Sequence, residues 1–194
     1  MVPGDALVHT RSELQRLVES TILRSCVSIS KPSFPNLRCA DPDGVLPATE
    51  EEQVVLVVEV GLVAALLDRK ISRDKTEALA TSIRLLPGMR RITDEQVNLL
   101  LARAGQRTSR SDAWMCEVAH RLTHPGLRRV AFRMAAMFCA WDGIIDDEEQ
   151  GYLDFLARAF GLDAQEASKL FSEATGHADA FVSMLPPPPD SDAS

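Results

Sequence analysis

The residues best placed to do chemistry lie in Trp141-Asp142-Gly143-Ile144-Ile145-Asp146-Asp147-Glu148-Glu149. Asp142, Asp146 and Glu149 are hard oxygen donors that one tight turn brings together. Such a set can hold Ca or Mg with water completing the shell. An EF-hand loop is excluded: with Gly143 at its sixth position, the first and third positions fall on Phe138 and Ala140, which cannot ligate. The same residues also have a purely local role. Asp142-Gly143 makes a turn, Asp146 caps the next helix, and Glu149 is its capping-box partner. Both readings stand on sequence alone.

A second constellation is Glu117, His120 and His124, spaced to lie on one helical face. It offers a zinc or iron site, and with it a metalloenzyme. The competing reading is a helix end at which the histidines interact with the helix dipole, before Pro125. The chain contains no nucleophile elbow and no glycine-rich phosphate loop. Arg128, Arg129 and Arg133 form a small basic patch without interleaved aromatics, so nucleic acid is not an expected partner. Contact between this patch and the acidic turn, within or between chains, is expected instead. Cys26, Cys39, Cys116 and Cys139 lack metal-binding spacing. Cys116 and Cys139 fall in apolar helical patterns and read as small buried hydrophobes in a reducing compartment.

The elements that must position these residues are helices. Leu14, Leu17, Val18 and Ile22 put an apolar stripe on Thr10–Ser28, and a proline-rich linker spans 31–47. Thr49-Glu50-Glu51-Glu52 is a capping box opening a helix to about Asp68. That helix is apolar nearly all round from Val54 to Leu67, broken only by Glu59, so it should be central. Further helices are expected over Arg73–Leu86, from the Thr93 cap onward, and over Ser111–Leu122, Leu127–Trp141 and Asp147–Phe160. A last one, capped at Asp163, should reach about Thr175. Pro186–Pro189 and the polar residues after it read as a disordered tail.

Two stretches match at an offset of 74, pairing Asp68 with Asp142, Ile71 with Ile145, Leu79 with Leu153 and Arg84 with Arg158. The expected fold is therefore all-α: a compact domain of about seven to eight helices built from two pseudo-twofold repeats. Residues 1–48 should form an N-terminal helix and linker, 49–176 the helical domain, and 177–194 a C-terminal segment.

An alanine-rich helix ending in Asp142-Gly143-x-Ile145, then acids and Glu149 opening an amphipathic helix, resembles the TerB family of tellurite-resistance-associated proteins. It is also similar to the N-terminal domain of DjlA-type co-chaperones. The match covers Ala135–Gly161, and the repeat extends it to about Thr49–Thr175. The resemblance implies a non-enzymatic stress-response module. It also implies an acidic surface for divalent cations, carried here by Asp142, Asp146 and Glu149, and protein partners near a membrane. Arg69 and Lys75 replace the glycine and glutamate in the first half, which argues against a cation site there. Asp68 is a possible fourth donor to the second-half site.

The net charge of −7 is unevenly spread: residues 135–194 hold twelve acidic against two basic side chains, and 107–134 are net basic. The acidic third disfavours phosphate backbones and favours cations or basic partners. With 45% hydrophobic residues, the chain is neither disordered nor fibrous. No apolar run is long enough to span a membrane. Met1–Asp5 carries no basic n-region, so no secretory signal is expected. The expected protein is cytoplasmic.

Overall fold

The computed structural model describes Cys39 and residues 47–67, 72–108 and 112–182. The expected helix at Thr10–Ser28, Cys26, the linker apart from Cys39 and Pro47, Asp68, Ile71 and the tetraproline lie outside the described residues. The described part is all helical, with seven helices and no strand. These are α1 (Glu50–Leu67), α2 (Arg73–Leu85), α3 (Asp94–Thr108), α4 (Asp112–Arg121), α5 (Pro125–Cys139), α6 (Asp147–Phe160) and α7 (Ala164–Val182).

Sequence signals for helix starts act as expected. The Thr49 hydroxyl accepts from the Glu52 amide at 3.3 Å while the Glu52 carboxylate accepts from the Thr49 amide at 2.9 Å. Thr93 and Gln96 exchange the same pair of bonds at 3.2 and 2.9 Å. Asp163 accepts from the Glu166 amide at 2.8 Å. Each bond satisfies an amide that the first helical turn leaves without a partner. Gly161 closes α6 in the left-handed conformation (φ +69°), which glycine adopts without steric cost.

Two boundaries differ from expectation. His124-Pro125-Gly126 does more than end α4: it also opens α5, with Pro125 in the first turn and His124 as N-cap. Proline fits there because its missing N–H would have no helical partner. The last helix extends to Val182 because Gly176 stays helical rather than turning the chain.

α1 is the centre. Thirteen of its eighteen residues are buried, so the uniform apolarity of the sequence reflects neighbours on every side. It packs chiefly on α5, with α3, α2 and α6 also against it, while α7 covers the far side of α5 and α4 meets α6. The α1–α5 crossing is close because Gly61 has no side chain. A Cβ there would sit 2.2 Å from Met134 Sδ. Tyr152, fully buried on α6, donates its hydroxyl to the Val60 carbonyl at 3.0 Å and pins α6 to α1. Gln53 does the same at the other end of α1. Its amide nitrogen donates to the Ala48 carbonyl, and its oxygen accepts from the Thr123 and His124 amides at 3.1 and 2.8 Å.

Ser72 and Asp146, 74 positions apart, are both N-caps and accept from the amides of Lys75 and Glu149, respectively. Both of those residues are buried. The two helices thus open with equivalent caps.

The cysteine reading needs correction. Cys116 is not an isolated thiol: it forms a disulfide with Cys39 across a sequence separation of 77, joining the segment before α1 to α4. Spacing arithmetic misses such a bond because only the packing of distant segments brings the two sulfurs together. Cys139 is a buried thiol in the core, as expected.

Candidate functional site

The acidic turn is built by α5 ending and α6 beginning. Gly143 has φ +80° and its amide donates to the Ala140 carbonyl at 3.1 Å. Asp142 Oδ1 accepts from the Ile144 amide two residues on, at 3.1 Å. This is an Asx turn, in which a short side chain mimics a backbone turn. Asp146 Oδ1 accepts from the Glu148 and Glu149 amides at 2.9 and 2.8 Å, and Glu149 Oε2 accepts from the Asp146 amide at 3.1 Å. Both halves of the capping box are therefore formed.

All three expected donors thus face their own backbone. Asp142 and Asp146 are exposed, whereas Glu149 is only 3% exposed and turned toward the core. Among the described residues, no three His, Cys, Asp or Glu side chains are grouped as a metal could require. Asp68 lies outside the described residues. What the turn presents outward is different: Ile144, 72% exposed, flanked by the exposed carboxylates of Asp142, Asp146 and Asp147. Ile144, Leu85 and Leu99 are the exposed large hydrophobics among the described residues. Ile145 instead packs against the core, which fixes the turn and leaves Ile144 pointing away.

The second constellation is dispersed among other partners. Glu117 Oε1 accepts from Arg107 at 3.0 Å and from Arg121 at 2.8 Å. Burial alone would raise the Glu117 carboxyl, but the hydrogen bonds and charges of Arg121 and Arg107 outweigh it and hold the group below its ordinary value. His124 Nδ1 accepts from the Leu127 amide at 3.3 Å, as the N-cap of α5. Two of the three proposed ligands are thus engaged in holding helices.

Within the chain, the basic patch pairs with other groups and not with the acidic turn. Arg129 pairs with Glu166 at 2.5 Å and Arg133 with Glu173 at 2.9 Å, both fastening α5 to α7. Arg128 donates to the carbonyls of Leu122, Ala119 and Phe160 at 2.5, 3.3 and 3.4 Å. It gathers the negative C-terminal ends of α4 and α6, where a cation is favoured. Burial lowers its guanidinium from the ordinary value.

One buried polar group escapes motif reading. Glu59, in the middle of α1, is 0% exposed. Its Oε2 accepts from Trp114 Nε1 at 2.7 Å, and its Oε1 lies 2.9 Å from Arg107 Nε. The only sequence signal was a single charge interrupting an apolar run.

No family model, no curated protein and no solved structure matches the chain.

Proposed function

We propose that this protein is a non-enzymatic, TerB-like binding module whose working surface is the α5–α6 turn, and that it binds a protein partner carrying basic and apolar groups. The observation that carries this reading is Ile144, exposed at the tip of the turn amid Asp142, Asp146 and Asp147. An exposed apolar side chain in an acidic turn suits a partner that buries it and supplies complementary positive charge. Divalent-cation binding at Asp142, Asp146 and Glu149 is less well supported, because a cation would have to compete with the backbone amides those carboxylates accept. The metalloenzyme reading at Glu117, His120 and His124 meets the same objection. The resemblance to TerB supplies the wider context of stress response, tellurite resistance and partners near a membrane. No helix among the described residues is long and apolar enough to cross one itself.

The cytoplasmic location expected from the sequence bears on the Cys39–Cys116 bond. Cytosolic thiols are normally kept reduced, and disulfides persist in oxidising compartments. The proposed binding surface is independent of that bond, since neither cysteine belongs to the turn.

The test uses a labelled amphipathic peptide with one lysine face and one leucine face, titrated by fluorescence anisotropy. Binding should weaken with added salt and at least tenfold in Ile144→Asp. Unchanged affinity in Ile144→Asp and in the Asp142→Asn/Asp147→Asn double variant would overturn the assignment.

A further inference from the structure

The buried carboxylate of Glu59 begins a chain of alternating charges that reaches the surface. Arg107 lies between Glu59 and Glu117, at 2.9 and 3.0 Å. Arg121 continues from Glu117 at 2.8 Å to Glu52 at 3.1 Å. Three carboxylates thus share two guanidinium groups, leaving one negative charge unmatched. The three carboxylates are not equivalent. Glu52 is held below the ordinary value first by its hydrogen bond from the Thr49 amide, then by Arg121. Glu117 is held down by two arginines, against its burial. Glu59 alone is fully buried, whereas the side chains of Glu52 and Glu117 reach the surface.

One carboxylate oxygen of Glu59 is also left without a hydrogen bond. Its Oε1 accepts no aligned hydrogen bond, although Arg107 Nε is within ion-pair distance. A buried acceptor without a donor favours the protonated, neutral acid. The charged and titratable groups around Glu59 come from three helices. They are Arg107 from α3, Glu117 and Arg121 from α4, and Tyr152, whose phenol feels the Glu59 charge, from α6. Trp114 on α4 supplies the neutral N–H.

We infer that Glu59 is a proton-operated tie between α1 and α3, competing with Glu117 for Arg107. With Glu59 ionised, Arg107 bridges α1 and α4 and anchors the last turn of α3 to the central helix. When Glu59 takes up a proton, the chain of charges becomes balanced. Arg107, whose side chain is 44% exposed, then pairs with Glu117 alone, and the end of α3 loses its ionic link to α1. Desolvation pushes the carboxyl of Glu59 above the ordinary glutamate value, the first and largest of the influences on it, so it is the group that takes the proton first.

Trp114 reports the event directly, because its indole N–H donates to Glu59. The full chain carrying Trp141→Phe keeps Trp114 as its one tryptophan. Its emission, followed between about pH 4 and pH 8, should show a one-proton transition centred above the ordinary glutamate value of about 4.3. Glu59→Gln should abolish it. Two further variants keep the test decisive if Glu59→Gln does not fold. Arg107→Gln removes the cation and should move the midpoint up; Glu117→Gln removes the competing anion and should move it down. Amide exchange at residues 105–108, corrected for its intrinsic pH dependence, should accelerate several-fold below the same midpoint. A flat emission profile, a transition that survives in Glu59→Gln, shifts of the same sign in the Arg107 and Glu117 variants, or exchange indifferent to pH would each overturn the inference.

Discussion

Replacing Asp146 separates the two roles that the acidic turn could play. Its Oδ1 accepts from two amides, at 2.9 and 2.8 Å. Loss of an N-cap acceptor typically costs about 1 kcal/mol. A carboxylate at a helix N-terminus adds about 0.3–1 kcal/mol through the dipole. Asp146→Ala removes both and should cost about 1.5 kcal/mol. Asp146→Asn keeps an acceptor of the same shape and loses only the charge, so it should cost about 0.5 kcal/mol by the dipole figure. For a chain of this length, each kcal/mol corresponds to about 2–4 °C in Tm. The alanine variant should therefore melt about 5 °C below the natural protein and the asparagine variant about 1–2 °C below it. Calorimetry in EDTA and again in millimolar calcium or magnesium reads both numbers. If Asp146 acts as a cap, the cations leave all three melting temperatures in the same order and spacing. The reasoning is refuted if asparagine is as damaging as alanine, or if calcium stabilises the natural protein and not Asp146→Asn. Either result would make the negative charge, rather than the acceptor, the property that matters.

Three further outcomes follow from the packing. Gly61→Ala places a Cβ 2.2 Å from Met134 Sδ. Overpacking of about 1–3 kcal/mol should exceed the roughly 1 kcal/mol that alanine contributes as a helix former. In denaturant melts, Met134→Ala in the same chain should cost less than the two single effects added, because the new methyl enters the space the sulfur vacates. Glu59→Gln should be at least as stable as the natural protein at neutral pH. A folded-state value above the unfolded one means that the native state holds the extra proton. Stability then falls as pH rises from the ordinary glutamate value through the raised one. The advantage of glutamine should vanish below about pH 4, where both side chains are neutral; a growing advantage toward acid would contradict this. Finally, cross-linking positions 77 apart constrains the unfolded chain by up to about 4 kcal/mol. Reductant should lower the Tm of the natural protein but leave Cys116→Ala unchanged, and identical responses would mean that the bond does not form in solution.

Much of the architecture was legible because its signals are local. Thr49, Thr93, Asp146 and Asp163 mark helix starts by accepting amides two or three residues away, and all four do so. The candidate turn was legible for the same reason, since Asp142, Gly143, Asp146 and Glu149 each bond to backbone or side chains only two or three residues away. Their competing roles were not separable by spacing. A cation site and a capping box ask for the same residues, and only the direction of each oxygen distinguishes them. His124 was similar: its type suggested a ligand, while its position before Pro125 made it a cap.

The sequence by itself determined that the chain is helical, where most helices begin, and that α1 lies at the centre. Hydrogen-bond capping and apolar periodicity are short-range properties that survive without neighbours. Tertiary structure alone decided the rest. It turned Glu59 from an interruption in an apolar run into the head of a charge chain. It joined Cys39 to Cys116, directed Arg129 and Arg133 to α7 rather than to the acidic turn, and left Ile144 outside while burying Ile145. Each of these depends on residues distant in sequence meeting in space. The energy of a buried charge, a disulfide or an exposed apolar side chain is set by those neighbours and not by the residue that carries it.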